Sequence, residues 1–254
     1  MARIRVIPVL LIENGKLVKT VQFKKPKYVG DPINALKVFN EKEVDEVIVL
    51  DISVTSEKRS PDIQMISTLA GECFMPLCYG GGISTMEEIK KIFYAGSEKI
   101  CINTAAIRNP ALISEAARLF GNQSVVVSMD VKKNLLGKHK VFSHRGSKSA
   151  GVNPATFAVE MESRGAGEIF LNSIERDGTF SGYDLELISL VAKSIKIPVI
   201  AAGGAGKLSD LADGVRAGAS AVAAGSMFVF QGTHRAVLPN YPSNKELRDT
   251  LYNL

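Results

Sequence analysis

The chain has 254 residues, 46% of them hydrophobic, with 31 Lys and Arg against 26 Asp and Glu, for a formal net charge of +5. That size and apolar content suit one large α/β domain with a full core. No run of about 18 apolar residues is present, which argues against a membrane span, and no signal-peptide pattern precedes Arg3-Ile4-Arg5-Val6. The mild basicity comes without an aromatic-and-basic nucleic-acid module. The three histidines lack metal-ligand spacing, so no metal site and no cofactor is expected. Cys73, Cys78 and Cys101 read as reduced thiols of a cytoplasmic protein. Phosphorylated small molecules account for the charge more simply than nucleic acid does.

In chain order, Arg5 to Leu11 reads as strand 1, nearly all apolar, as a strand buried on both faces should be. Gly15 makes a turn, and Lys16 to Thr20 continues extended. Val21 to Gly30 reads as a long loop. Its lysines would either meet phosphate as part of a mobile lid or stay solvated. Asp31 caps a helix with Pro32 at its first position. Strand 2 is Glu46 to Ile52, and a helix begins near Asp62. Strand 3 is Leu77 to Tyr79, and the next helix follows Ser84, with Glu87 and Glu88 in its first turn. Strand 4 is Lys99 to Ile102, with a helix from about Pro110. Strand 5, Ser124 to Val131, carries Asp130. The polar stretch Lys132 to Ala150, with Asn134, Gly137 and Gly146, reads as a hairpin. A helix at about Pro154 to Arg164, strand 6 at Glu168 to Asn172 and a helix from Asp184 follow. Strands 7 and 8 lie in the stretch from Ile197 to Met227. Pro239 and Pro242 break any long final helix.

Two stretches share one plan of strand, Gly-rich turn, helix, strand and second small-residue turn. One runs from Met75 through Gly80-Gly81-Gly82 to Thr104, the other from Ile197 through Gly203-Gly204-Ala205-Gly206 to Met227. Gly82 and Gly204, Thr104 and Ser226, and Glu46 and Glu168 are each 122 residues apart. A repeat of half the chain points to a duplicated half-fold and not to a short-period solenoid. The expected organisation is a single domain, 1–254, with half-barrels of about 1–121 and 122–231 and a tail at 232–254. Eight alternating strand–helix units over this length predict a TIM barrel. A doubly wound sheet is the alternative, and the duplication favours the closed ring.

Chemistry in such a barrel belongs at the C-terminal ends of the strands. There, Gly81, Gly82, Asn103 and Thr104 form one candidate phosphate cradle. Asp177, Gly178, Gly203, Gly204, Gly225 and Ser226 form a second, where backbone N–H groups can approach an anion. The plain alternative is that the glycines only permit tight turns. Asp51 and Asn172, also at strand ends, complete the candidate ligand set. Val6 to Leu11 aligns with Val125 to Asp130 at an offset of 119, so Asp130 faces Leu11. A pair of carboxylates there could divide general acid and general base work. One carboxylate and one leucine cannot, and Asp130 alone is the catalytic candidate. At the opposite ends of the strands, Arg5, Glu46, Lys99 and Glu168 would form a neutral buried ring, because charges pointing into a barrel must be paired. Four unrelated surface charges are the competing reading.

Leu50-Asp51-Ile52, Glu57-Lys58-Arg59, Gly80-Gly81-Gly82-Ile83, Ile102-Asn103-Thr104-Ala105-Ala106, Arg176-Asp177-Gly178-Thr179 and Gly203-Gly204-Ala205-Gly206 are specific rather than generic barrel features. On them, and over almost its whole length, the chain resembles the cyclase subunit of imidazole glycerol phosphate synthase. The resemblance implies a barrel docked by its bottom face onto a class I glutamine amidotransferase subunit, with ammonia passing up the barrel to a phosphoribosyl substrate at the top. It puts the ammonia gate on Arg5, Glu46, Lys99 and Glu168. It puts phosphate contacts on Gly82, Asn103, Thr104, Asp177, Gly178, Gly203, Gly204 and Ser226, and matches Lys19 to the lysine of a mobile loop.

The departures are as informative. The family's two catalytic aspartates fall on positions 11 and 130, and position 11 is leucine; a threonine normally found after strand 6 is replaced by Asn172. Pro8-Val9-Leu10-Leu11, Lys27-Tyr28-Val29-Gly30-Asp31-Pro32 and the His234 to Pro242 stretch are similar to a branch that accompanies surface-polysaccharide genes. That branch is associated with converting an acetamido to an acetamidino sugar, together with a glutaminase and a sugar-amidating enzyme. Three readings stand at this point: an ammonia-conducting barrel for sugar amidation, a true cyclase of histidine biosynthesis, and a phosphate-ligand sensor or scaffold without ammonia passage.

Overall fold

The computed structural model describes residues 3–232 and 234–252. Eight parallel strands close on themselves. They are β1 (Arg5–Glu13), β2 (Val47–Asp51), β3 (Leu77–Gly80), β4 (Lys99–Ile102), β5 (Val125–Lys133), β6 (Glu168–Ser173), β7 (Val199–Ala202) and β8 (Ala221–Ala224). Each pairs in parallel with the next, and β8 returns to β1 through Arg5↔Ala221 to Pro8↔Ala224. The closed eight-stranded ring is the expected TIM barrel, and it places β1 and β5 on opposite walls.

The strands read as continuous apolar runs because alternate residues enter two separate cores. Ile7, Val9, Ile48, Cys78, Cys101, Val126, Phe170, Ile200 and Ala223 fill the barrel interior. Val6, Leu10, Val49, Leu77, Ile100, Val127 and Leu171 pack outward. Their partners there are the helices Pro32–Glu41, Ile63–Glu72, Met86–Tyr94, Ala111–Phe120, Pro154–Ser163, Leu185–Ala192 and Leu208–Arg216. Asp31 caps the first of these by accepting the Asn34 N–H at 3.1 Å, with Pro32 next to it, as the sequence predicts. No helix of the described residues is long and apolar enough to cross a membrane.

Two expectations change. The stretch 21–30 is not a loop. Lys24–Gly30 is a strand, antiparallel to Lys16–Val21, which itself pairs with the end of β1. Its exposed Lys24, Lys25, Pro26 and Lys27 are residues that blunt a free sheet edge, and they hide the alternation on which strand prediction depends. The eighth strand–helix unit is also incomplete. A four-residue helix, Ser226–Val229, follows β8, and a separate tail helix, Asn244–Leu247 continuing through Tyr252, buries Leu247 and Leu251. Tyr241 fastens the tail to the barrel by donating to the Val6 carbonyl at 2.9 Å.

Candidate functional site

At the N-terminal ends of the strands four charged side chains meet. Arg5 opens β1, Glu46 precedes β2, Lys99 opens β4 and Glu168 opens β6. Arg5 reaches Glu46 at 2.5 Å and Glu168 at 2.6 Å, and Lys99 reaches the same two carboxylates at 2.9 and 2.8 Å. Each cation thus touches both anions. Glu46 is 2% exposed and Glu168 8%. Burial works against the Arg5 guanidinium, but its bonds and charge interactions with Glu168 and Glu46 outweigh it and hold its pKa above the ordinary value. Lys99 is raised in the same way, Glu46 and Glu168 together overcoming desolvation. Scattered surface charges are thereby ruled out.

Above the ring lies the apolar layer of Ile7, Ile48, Cys78, Val126 and Ile200. Burial, with Cys101 beside it, pushes the Cys78 thiol well above its usual pKa, so it stays neutral. Beyond this layer, at the C-terminal ends of the strands, opens a cleft with a cavity volume of about 160 Å³. Chemistry-bearing residues of opposite walls meet here.

Asp130, near the end of β5, and Leu11, near the end of β1, both face the cleft. The Asp130 carboxyl makes no hydrogen bond among the described residues. Desolvation, and then the neighbouring charge of Asp177, push its pKa up to about 7. Asp177 is itself pushed up to about 6, by burial first, against the opposing pull of Lys19 and the Thr20 hydroxyl at 3.3 Å. Lys19, 4% exposed, donates to the Val9 carbonyl at 2.5 Å, and burial lowers its pKa to about 8 despite Asp177. An ammonium this enclosed, with one carbonyl and no ion-paired contact among the described residues, is an expensive group. An anionic ligand would relieve it.

The two candidate cradles lie across this cleft from each other in sequence and in build. Gly81, Gly82, Asn103 and Thr104 line it at one end; Asp177, Gly203, Gly225 and Ser226 line it at the other. Asn103 and Gly225 precede short helices with nearly the same backbone, φ −109°, ψ −78° and φ −101°, ψ −72°. The N–H groups of Gly204, Ala205 and Ser226 donate to nothing among the described residues, which leaves them available to an anion. Gly225 also permits a close approach: a Cβ there would sit 2.7 Å from the Lys19 Nζ. Gly178 and Gly204 stand behind the lining residues, packed on the Thr20 and Gly182 carbonyls. Their side-chain absence serves chain crossing, whereas the Gly204 N–H remains a candidate donor.

Asp51 lines the cleft but is committed. It accepts from the Ser53 N–H at 3.0 Å and the Ser53 hydroxyl at 2.8 Å, and lies 3.5 Å from Arg59. Asn172 is 8% exposed, and its Oδ1 has no partner among the described residues, so it keeps an acceptor at the cleft wall. Phe23, His144 and Arg145 line the cleft without having been singled out from sequence. Phe23 belongs to the hairpin turn read as loop. His144 and Arg145 form the turn after the strand His139–Ser143, both with left-handed backbone, φ +52° and +55°. Such non-Gly residues cost strain that sites tend to retain. The adjacent Gly146, in a polar insertion, was the sequence signal for that turn. The lysines at 24, 25 and 27, by contrast, stay exposed on the strand and do not line the cleft.

Comparison with known proteins places this geometry. A family model described as "Histidine biosynthesis protein" matches residues 5–235. The chain is 54% identical over 248 residues to a Pseudomonas aeruginosa protein provisionally named imidazole glycerol phosphate synthase subunit hisF2, covering 97% of this chain and 99% of that one. It is 48% identical over 254 residues to a provisionally named subunit HisF of Leptospira interrogans, covering 99% and 100%. It is 47% identical over 256 residues to a provisionally named subunit hisF3 of Vibrio vulnificus, covering 99% and 97%. With its closed barrel, the chain belongs to the histidine biosynthesis protein family, among the HisF-like cyclase subunits of imidazole glycerol phosphate synthase.

Proposed function

We propose that this chain is the phosphate-binding barrel subunit of a cytoplasmic, glutamine-dependent complex that conducts ammonia, and that the ammonia serves acetamidino-sugar formation for surface polysaccharide and not imidazole formation. A class I glutamine amidotransferase subunit docks at the floor, where Arg5, Glu46, Lys99 and Glu168 gate entry. Lys19, Asn103, Thr104, Asn172, Asp177 and the N–H groups around Gly82, Gly204 and Ser226 hold a phosphorylated ligand at the top. The observation that carries the reading is one contrast: the four-charge ring is complete, while Asp130 faces Leu11 across the cleft. Losing one member of a general acid–base pair typically costs about 10² to 10⁴ in rate. Passage of a small nucleophile needs only the ring; cyclisation needs both acids.

The second reading, a genuine cyclase of histidine biosynthesis, draws on Asp130. With its pKa pushed up to about 7, this group is poised to exchange a proton near neutrality. Gene deletion separates the two. Loss of the acetamidino sugar with growth retained in the absence of histidine supports conduction for sugar amidation; a histidine requirement refutes it. Purified protein with ammonium salt and the phosphoribosyl substrate gives the complementary answer, since product formation would favour the cyclase.

A further inference from the structure

The two hairpins that rise beside the cleft mouth are unlike the rest of the chain. Residues 14–30 and 131–151 contain eleven Lys and Arg and no Asp or Glu; the rest of the chain has 20 Lys and Arg against 26 Asp and Glu. The whole basic excess of the protein therefore sits on the rim of its upper face. Of those eleven only Lys19 is buried. The hairpins also carry exposed apolar side chains: Tyr28 at 63%, Leu135 at 107% and Leu136 at 80%.

The leucine tip is held in shape. Asn134 accepts the N–H groups of Leu136 and Lys138 at 3.0 and 2.9 Å, and its own N–H donates to the Lys138 carbonyl at 2.9 Å. At its base, His139 is bonded to Asp184 at 3.0 Å and the Lys133 N–H donates to Glu175 at 3.1 Å. An ordered turn thus presents two adjacent leucines to solvent, flanked by Lys138 and by Lys133, which reaches Glu186 at 3.4 Å. Apolar anchors inside a charged rim are the anatomy of a protein interface, and like charges around them select a partner of opposite sign.

Resting on the proposed release of ammonia at this mouth, we infer that the two basic hairpins form the docking surface for an acidic protein, the enzyme that accepts the ammonia, whose apolar pocket takes Leu135 and Leu136. A free anionic ligand explains the lysines but not the leucines. Docking here covers the mouth and keeps ammonia from solvent.

The test uses the full chain in its own cells. A photo-crosslinking residue at position 136 is expected to trap an acidic protein that is neither the glutaminase nor a second copy of this chain, and whose own gene deletion abolishes the acetamidino sugar. The adduct is lost in Lys24→Glu/Lys138→Glu and kept in Lys90→Glu, a charge reversal on the outer helix Met86–Tyr94. No adduct, a self-adduct, a glutaminase adduct or insensitivity to charge reversal overturns the inference. In the deletion strain, Leu135→Ser/Leu136→Ser is expected to restore the acetamidino sugar about tenfold less well than the wild type, while glutaminase stimulation by the purified variant is unchanged. Full restoration by that variant sinks the docking surface alone. A deletion strain that keeps its sugar sinks the proposed function, and the crosslink then still decides whether the surface exists.

Discussion

The two halves of the barrel agree at the helix starts and in the glycine cradles and differ at particular side chains of the cleft wall and the floor. Asp31 and Asn153 cap the helices at Pro32 and Pro154; Asp62 and Asp184 cap those at Ile63 and Leu185. Glu88 accepts the N–H groups of Ser84 and Thr85, and Asp210 those of Gly206 and Lys207. Asn40 accepts from Phe74, and Glu162 from Lys196. Each of these pairs is 122 residues apart, like Glu46 and Glu168. Orphan N–H groups at helix starts and strand entries recur with the fold, so the residues that satisfy them recur too. The cleft keeps that offset in its two cradles, Gly82 with Gly204 and Thr104 with Ser226, but not in its facing walls. Leu11 occupies the wall opposite Asp130, and both cations of the floor ring, Arg5 and Lys99, come from the first half; Ser124 and Ala221 stand at their counterparts.

The largest effect is expected at the floor. Lys99→Ala leaves two buried carboxylates sharing Arg5. Removing one partner of a buried ion cluster costs about 3–5 kcal/mol, and chemical denaturation should show a loss of that order. Glutamine-driven transfer through the barrel should fall as well, whereas transfer of added ammonia at the top should not. A loss under about 1 kcal/mol would mean that the ring is solvated and not a closed gate.

The roof predicts a pH dependence of opposite origin. Asp130 and Asp177 have folded pKa values of about 7 and about 6, both above the unfolded range. The folded state therefore binds more protons than the unfolded one, and stability falls as pH rises from about 4 to 7. Lys19, lowered to about 8, returns stability between about pH 8 and 10.5. Asp130→Asn should stabilise the protein by up to a few kcal/mol at pH 8 and change little near pH 4, measured by urea midpoints at the two pH values. Inorganic sulfate, whose own charge is constant over this range, should bind more weakly as pH passes from 6 to 8, when both acids charge and Lys19 begins to lose its proton.

The barrel, the two glycine turns and the four-charge floor were legible because each leaves a sequence pattern: apolar runs, glycines at one offset, charges at strand starts. The strand Lys24–Gly30 was not. Lys24, Lys25 and Pro26 protect an edge and so erase the alternation that marks a strand. Phe23, His144 and Arg145 were missed because nothing local distinguishes a turn residue that leans into a cleft from one that leans out. The commitment of Asp51 to Ser53 and Arg59 likewise depends on a short helical turn, Val54–Glu57, that no periodicity announces.

A smaller effect is expected from making the roof more symmetric. Leu11→Asp sets a second carboxylate across from Asp130, and like charge should raise the Asp130 pKa further. If the missing acid is what blocks imidazole formation, ammonium salt and the phosphoribosyl substrate should yield product at a rate higher by up to about 10²-fold. No gain would assign the block to Asn172 or to the hairpin turn at His144 and Arg145.

The smallest effects come from the caps, and they separate scaffold from function most cleanly. Asp31→Ala and Asn153→Ala should each cost about 1 kcal/mol, as losses of an N-cap do. Asp62→Ala should match them. Asp184→Ala should not, because Asp184 also holds the buried His139 at the base of the leucine-tipped hairpin. Losing that bond adds about another 1 kcal/mol and leaves a buried imidazole nitrogen unpaired. The excess of Asp184→Ala over Asp62→Ala, read from denaturation midpoints, therefore measures the anchor of the hairpin. If the two costs are equal, the second half has gained no anchor, and the Leu135–Leu136 tip is not held against the barrel by this contact.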